Sequence, residues 1–488
     1  MTAEAQGARP RGARPRSVLV WFRDDLRVAD NPALRAALDR GGTVIAVYVL
    51  DEQSPGVRPL GGAAKWWLHH SLAALTASLA DLGIALVLRS GPASREVPAV
   101  AARAGAAAVV WNRRYGGPER AVDRTVRAHL AARGIGVESF AATLLFEPGT
   151  ILTRDGAPYS VFTPFWRACL SRPSPRRPLP PPAGPPPSSS PSPAPSLLRA
   201  ETLELDDLEL LPGRPDWAGG LDATWEPGEA AAQRALRSFV RERLAAYSSE
   251  REIPSIVGTS RLSPHLRWGE LSPHQVWHTV VQARQEGPGT EDGAAGFLTE
   301  LGWREFAWHT LHYSPGLATR NWRAEFDGFP WPARRPDLLR AWQEGRTGVA
   351  LVDAGMRELW RTGWMHNRVR MVTASFLTKN LLIDWRVGEQ WFWDTLVDAD
   401  AASNPFNWQW IAGSGADAAP YFRIFNPDRQ ARRFDPDGAY IRANVEEWGT
   451  AAYPAPVVDL GRTRAEALAA HSVIRRPVVP LPPPVRQV

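Results

Sequence analysis

The 488-residue chain predicts an α/β domain, then a proline-rich linker, then an all-α domain. Three observations carry this. Short apolar runs alternate with helical patterns over residues 14–145. Twelve prolines crowd residues 171–196. Beyond about Gly228 strand patterns vanish, and helical segments take over to about residue 475.

Ser17–Phe22 (SVLVWF) and Thr43–Leu50 (TVIAVYVL) read as buried strands, as do Ala85–Arg89 and Ala107–Trp111. Asp30-Asn31-Pro32 opens a helix, a capping residue standing ahead of a first-turn proline. Lys65–Leu82, Glu96–Ala104 and Ala121–Arg133 supply further helices. Strands alternating with helices predict a parallel, doubly wound sheet. Residues 146–227 read as the interdomain linker, with the insert 171–196 as a solvated, polyproline-like stretch. In the second domain, 228–475, helices are expected over Glu229–Tyr247, Ser272–Gln285, Phe297–His312, Pro336–Glu344, Val352–Arg361, Arg368–Asn380 and Glu389–Leu396.

Composition excludes several classes. No run of about 18 apolar residues exists, so no membrane helix is expected. The N-terminus lacks an apolar signal region, and a cytoplasmic location is expected. A single cysteine, Cys169, excludes an internal disulfide framework and cysteine-based metal sites. The net charge of +6 permits a polyanionic partner, but 55 arginines against two lysines look like codon bias and weaken that inference. Tryptophan is the unusual residue: 22 in all, twelve of them between Trp303 and Trp410. Indole is both a stacking surface and an electron donor.

Common catalytic signatures are missing. No Gly-Lys pair exists, so a Walker A loop is impossible. H-E-x-x-H and G-x-S-x-G are absent, and no G-x-G-x-x-G follows the first strand. His309 and His312 lack a third metal ligand nearby and read as ordinary helix residues. Other segments carry more. Gly258-Thr259-Ser260-Arg261-Leu262-Ser263 sets hydroxyls ahead of a helix, a natural phosphate cradle. Glu300, Trp303 and Arg304 share neighbouring helical positions, suited to a polar aromatic ligand.

Together these segments resemble the photolyase–cryptochrome flavoprotein family. VLVWFRDDLRVADNPAL (18–34) is similar to its N-terminal signature. GTSRLS, ELGWREF, GWMHNRVRMVTASFLTKNLLIDW and NWQWIAGSGADAAPYFRIFNP are similar to its flavin-domain signatures. The resemblance is greatest to class I cyclobutane pyrimidine dimer photolyases. It implies an antenna domain, a linker and a helical FAD domain. It implies FAD contacts at Tyr247, Thr259, Ser260, Arg261, Leu262, Ser263, Arg304, Asn367, Arg370, Asp398, Asp400 and Asn404, with Asn404 facing flavin N5. It implies electron transfer through Trp331, Trp385 and Trp408, with Trp322 competing for the outer position. The lesion pocket is carried over as Glu300, Trp303, Asn367, Met371 and Trp410, with Asn404 also catalytic. Arg251, Arg368, Arg423 and Arg432 are the implied DNA clamps, beside Trp303 and Trp410.

The resemblance therefore implies light-driven repair of pyrimidine dimers in damaged DNA by a monomer needing no metal. A (6-4) photolyase carries a histidine-bearing H-x-x-x-R-H pattern, where this chain has His366-Asn-Arg-Val-Arg370-Met371. Blue-light signalling of the cryptochrome type is the rival of another class. The resemblance implies an antenna site for an 8-hydroxy-deazaflavin or methenyltetrahydrofolate, with a chain that carries no antenna as the alternative. Gly117-Pro118-Glu119-Arg120 keeps the acid of the folate-binding pattern but has proline where that pattern has asparagine.

Overall fold

The computed structural model describes residues 17–183, 202–287, 289–332, 335–418 and 422–475. Five strands form one sheet: β1 (Ser17–Phe22), β2 (Val44–Leu50), β3 (Leu86–Ser90), β4 (Ala106–Asn112) and β5 (Gly136–Phe140). All neighbours are parallel, in the order β3-β2-β1-β4-β5. Side chains of β1 alternate between two cores, as the period of two requires. Val18, Val20 and Phe22 join α1 (Pro32–Leu38) and α2 (Gly62–Asp81) on one face. Leu19 and Trp21 join α3 (Ala93–Arg103) and α4 (Gly117–Ala131) on the other. Helices on both faces explain why β1 and β2 read as continuous apolar runs. Asn31 caps α1 by accepting from Leu34 N at 3.1 Å, with Pro32 in the first turn.

Several elements depart from the sequence expectation, two of them in ways that bear on packing. β5 (GVESF) is a half-exposed edge strand with no apolar run. Helix α5 (Phe162–Leu170) falls inside the assumed linker. Its buried residues, Phe162, Phe165, Trp166 and Cys169, have the i, i+3, i+4, i+7 spacing of one helical face.

The proline-rich stretch also needs correction. Its first part packs. Pro175 is buried, and His278 Nε2 lies 2.9 and 3.0 Å from the Pro175 and Arg176 carbonyls. Arg176 pairs with Asp30, and Leu179 N donates to Asp30 Oδ1 at 2.8 Å. Asp30 is fully buried and needs those partners. The remainder of the insert, 184–196, lies outside the described residues.

The second region is helical. Its elements are α6 (Glu229–Glu242), α7 (Tyr247–Glu250), α8 (Ser263–Arg267), α9 (Pro273–Glu286), α10 (Glu291–Tyr313), α11 (Pro336–Gln343), α12 (Ala350–Thr362), α13 (Asn367–Ser375), α14 (Trp385–Thr395), α15 (Ser403–Ala412), α16 (Pro427–Phe434), α17 (Ala439–Asn444) and α18 (Leu460–Arg475). A π-helical turn, Phe376–Asn380, extends α13. Two large cores result. One gathers α5, α6, α9 and α10; the other gathers α12, α13, α14 and part of α15. Gly388 lets α14 approach α15, since a Cβ there would lie 2.2 Å from the Trp408 ring.

The two regions are pinned by charge. Arg267 Nη1 donates to Asp24 Oδ1 at 2.7 Å, and the Glu229 carboxylate accepts from the Val28 and Ala29 amides at 2.7 and 2.9 Å.

Candidate functional site

The loop Gly258–Leu262 turns tightly. Arg261 adopts φ +53°, and a Cβ on Gly258 would lie 2.7 Å from the Glu250 carbonyl oxygen. The amides of Thr259, Ser260 and Arg261 donate to no group among the described residues. Leu262 anchors the loop in the core, beside Tyr247 and Phe297. The Arg261 guanidinium lies 4.9 Å from the Trp364 ring centre, and burial lowers its pKa. Ser263 Oγ donates to Asp398 Oδ2 at 2.7 Å. Asp398 also takes both arms of Arg370, at 3.0 and 2.8 Å. Asp400 lies just ahead of α15 and accepts from the Ala402 and Ser403 amides. Tyr247, Thr259, Ser260, Arg261, Leu262, Ser263, Arg370, Asp398 and Asp400 thus come from the ends of α7, α8, α13 and α15. Arg304 points elsewhere: its Nη1 donates to the Thr143 carbonyl at 3.0 Å.

Asn404 is buried in the first turn of α15. Its Nδ2 donates to the Glu389 carbonyl at 3.0 Å and to Glu389 Oε1 at 2.8 Å. Glu389 accepts two bonds from Arg58, at 2.7 and 3.0 Å. An acceptor-only carboxylate fixes the amide with nitrogen toward Glu389, leaving Oδ1 for a donor. Glu389 is absent from the motif-derived site residues. Its position one turn after Trp385 was the available signal.

A third group faces outward from three helices. Glu300 and Trp303 lie on α10, Asn367 and Met371 on α13, and Trp410 on α15. Trp303 is half-buried and stacks on Phe162, centroids 3.7 Å apart at 11°. Trp303 also meets Phe406 of α15 at 6.3 Å. Trp410 is half-buried, with the Arg423 guanidinium 4.8 Å from its ring centre. Asn367 is exposed, while Met371 is half-buried against the same core as Trp410. Arg251 Nη1 donates to Glu300 Oε1 at 2.6 Å, and Arg368 pairs with Glu252. Arg432 is exposed in the last turn of α16.

Comparison with known proteins decides what this arrangement belongs to. Residues 18–186 match the family described as DNA photolyase, and residues 297–451 match the FAD binding domain of DNA photolyase. A deoxyribodipyrimidine photo-lyase of Agrobacterium fabrum is 46% identical, over 94% of this chain and 98% of that protein. The chain belongs to the photolyase–cryptochrome family. The crystal structure of a class III photolyase from Agrobacterium tumefaciens superposes with a TM-score of 0.87 at 44% identity, covering 95% of this chain and 98% of that one. Cryptochrome-1 of Arabidopsis thaliana is 39% identical, over 88% of this chain and 62% of that protein. The structural neighbour is described as class III, whereas the motifs alone resemble class I.

FAD is the cofactor of this flavoprotein, and the residues fit it. The amides of Thr259, Ser260 and Arg261, which meet no acceptor among the described residues, suit a pyrophosphate together with the adjoining hydroxyls. The half-exposed Arg370, held by Asp398, presents a fixed guanidinium beside them.

Trp385 and Trp408 are buried in one core, and Trp331 packs against that same core. Trp322, the competing outer residue, packs against the other core. Trp408 sits 4.9 Å from Phe392 and 6.3 Å from Trp342. Trp385 Nε1 donates to Asn321 Oδ1 at 2.9 Å.

A cavity of about 680 Å³ lies between the two regions. It collects residues following β1 (Arg23, Asp24), β2 (Asp51, Glu52) and β4 (Arg114, Gly116). The sheet order reverses between β1 and β4, and doubly wound sheets bind ligands at that point. Glu119 folds back over Gly116 at the start of α4 and lines the cavity, as do Glu389 and Trp393.

Two buried groups on these helices carry no sequence signal. Lys379 donates to the Ala412 carbonyl and sits 3.3 Å from the Phe422 ring centre, holding the end of α15. Burial lowers its pKa well below the usual range. Glu305 accepts from the Leu145 and Phe146 amides at 2.8 and 3.2 Å, tying α10 to the segment leaving the α/β domain. Burial raises its pKa from 4.5 to about 7. The sign follows: the folded state favours the protonated acid. This contribution is full below pH ~4.5 and is lost as pH rises from there through about 7, a loss of about 3 kcal/mol. Glu305→Gln should flatten the melting temperature between pH 5 and 7.5 and raise it above pH 7. An unchanged pH profile contradicts this.

No described helix is long and apolar enough to cross a membrane. No group of three or more His, Cys, Asp or Glu that could hold a metal occurs among the described residues. His309 Nε2 lies 2.9 Å from the Phe146 carbonyl instead.

Proposed function

We propose that this flavoprotein repairs cyclobutane pyrimidine dimers in DNA under blue light. The observation that carries the reading is the pair of half-buried indoles, Trp303 and Trp410, offered from α10 and α15, with Arg423 against the Trp410 ring and Arg251 bonded to Glu300 one turn before Trp303. Flat indole faces suit two extruded, crosslinked bases, and guanidinium groups suit their flanking phosphates. Photolyases are among the enzymes already known to extrude their target bases, so the fit extends an established pattern. A crosslinked pair stacks and pairs poorly, so extrusion costs less for damage than for intact DNA.

When bound and reduced, FAD would supply the electron that opens the dimer and would recover it afterwards, with no net redox change. The protein binds, orients and excludes water. Glu300 hydrogen-bonds the thymine edge. Asn404, its amide turned by Glu389, offers Oδ1 as an acceptor. Trp331, Trp385 and Trp408 carry electrons inward from the surface. Arg251, Arg368, Arg423 and Arg432 hold DNA phosphates. The cavity at the sheet's switch point takes the antenna chromophore, a deazaflavin or a folate.

Met371 supports dimer repair over (6-4) repair, because it stands where the (6-4) pattern has histidine. Matched oligonucleotides carrying a thymine dimer or a (6-4) photoproduct test this under blue light. The reading expects turnover of the first only; turnover of the second only overturns it.

A further inference from the structure

Trp385 opens α14 with its ring 1% exposed, and its indole N–H bonds one group among the described residues. That group is Asn321 Oδ1, in the loop after α10. The loop is held on three sides. Gln409, fully buried beside Trp408, donates from Nε2 to the Leu317 and Arg320 carbonyls at 2.7 and 2.8 Å. Its Oε1 accepts from the Trp322 amide at 2.8 Å. Arg386 Nε donates to the Thr319 carbonyl at 2.8 Å. Asn321 itself is half-buried, and its Nδ2 donates to Asp327 Oδ1 at 2.7 Å. An indole N–H only donates and a carboxylate only accepts, so the amide keeps its oxygen toward Trp385 and its nitrogen toward Asp327. The charged groups nearest the ring cancel. The Arg386 guanidinium lies 4.7 Å from the ring centre, and both Asp384 oxygens accept from it, at 3.2 and 3.1 Å.

We propose that Asn321 is a positioning residue of the electron relay: it stabilises Trp385 while that ring is short of one electron, and it cannot take the ring's proton. This role rests on the reading of Trp331, Trp385 and Trp408 as a relay. The oxidant that draws the first electron from Trp408 is light-excited, oxidised flavin. Trp385 then gives one electron to Trp408 and is a radical cation until Trp331 refills it. No bond breaks, and the proton stays on Nε1. An indole short of an electron is a stronger N–H donor and a stronger acid than the neutral ring. A hydrogen bond with one charged partner is about twice as strong as a neutral one, so the Asn321 bond favours the cation over the neutral ring. An amide oxygen accepts that bond but is no base at neutral pH. A carboxylate in the same place would take the proton and leave a neutral radical, which no longer draws an electron from Trp331 as the cation does. Burial of the ring denies water the same part.

The test is transient absorption of the full chain loaded with oxidised FAD, after a blue flash. The spectra separate cationic from neutral Trp radicals. Asn321→Leu keeps the size and removes the acceptor. It should lower the yield of long-lived Trp radical about two- to tenfold, the scale of one hydrogen bond. The exchange variant Asn321→Asp with Asp327→Asn keeps the net charge and the bond between the two side chains, and moves the carboxylate to the indole. It should convert the cation signal to the neutral one earlier than in wild type, and the conversion should slow in heavy water. A merely structural role would not change the protonation state of the radical. Trp385→Phe should abolish the long-lived signal. A Trp385→Phe protein with wild-type signal defeats the relay reading, and the role of Asn321 with it. If Trp385→Phe loses the signal while Asn321→Leu and the exchange variant match wild type, the relay stands and the role of Asn321 is overturned. Wild-type protein that forms the neutral radical as early as the exchange variant also overturns it.

Discussion

Asp398→Ala yields a protein that purifies with little flavin and is less stable by about 2–3 kcal/mol. The reason is the number of groups that depend on one carboxylate. Asp398, whose side chain is 4% exposed, receives both arms of Arg370 and the Ser263 hydroxyl. Removing it leaves a guanidinium without its counter-ion and releases the first residue of α8. Loss of one partner of a fully buried pair costs about 3–5 kcal/mol; Arg370 is 24% exposed, so water recovers part of that. The effect on flavin exceeds the effect on stability, because the Gly258–Ser263 loop loses the bond that fixes its end. Asp398→Asn should fall between, keeping the shape but losing the charge. The flavin-to-protein absorbance ratio and a thermal melt measure both. Full flavin content in Asp398→Ala contradicts this view of the cradle.

The second large effect is on lesion recognition. Trp410→Ala should weaken binding of a thymine-dimer duplex by about 10- to 100-fold, and Trp303→Ala by a similar factor, since each base–indole stack contributes about 1–3 kcal/mol. Undamaged DNA should bind each variant within about twofold of wild type, because phosphates supply that affinity. The two positions are anchored in different cores, Trp303 on the one that holds Phe162 and Trp410 on the one that holds Trp408. A double variant should therefore lose less than the sum if both rings hold one substrate. Trp303→Ala also uncovers Phe162, its stacking partner, so a small drop in melting temperature accompanies it. Parallel losses on damaged and undamaged DNA would contradict the stacking role.

What the sequence makes legible follows burial symmetry. β1 and β2 are covered on both faces, so they stand out as apolar runs. β5 is a half-exposed edge and does not. Helix α15 escapes periodicity because apolar residues surround it: Phe406, Trp408, Ile411 and Ala412 are all buried. It was visible only through its motif. Helix α5 did carry a regular apolar face, but the adjoining prolines drew it into the linker. The site shows the same division. Motif positions bring Ser263, Arg370 and Asp398 into direct contact. The groups that orient them come from far away in the chain. Arg58 reaches Glu389 across 331 residues, and Glu389 then turns Asn404. No local pattern announces such a relay. Glu252 pairs with Arg368 over 116 residues for the same reason. Arg304 shows the converse: a helical neighbour of Trp303 by spacing, it is spent on the Thr143 carbonyl.

The most direct measurement follows the repair reaction itself. Pre-reduced protein is mixed with an oligonucleotide carrying one thymine cyclobutane dimer and illuminated with blue light. Absorbance near the thymine band is followed beside a dark control. Light-dependent recovery of that absorbance is the predicted result. No recovery, with FAD shown to be bound and reduced, contradicts it.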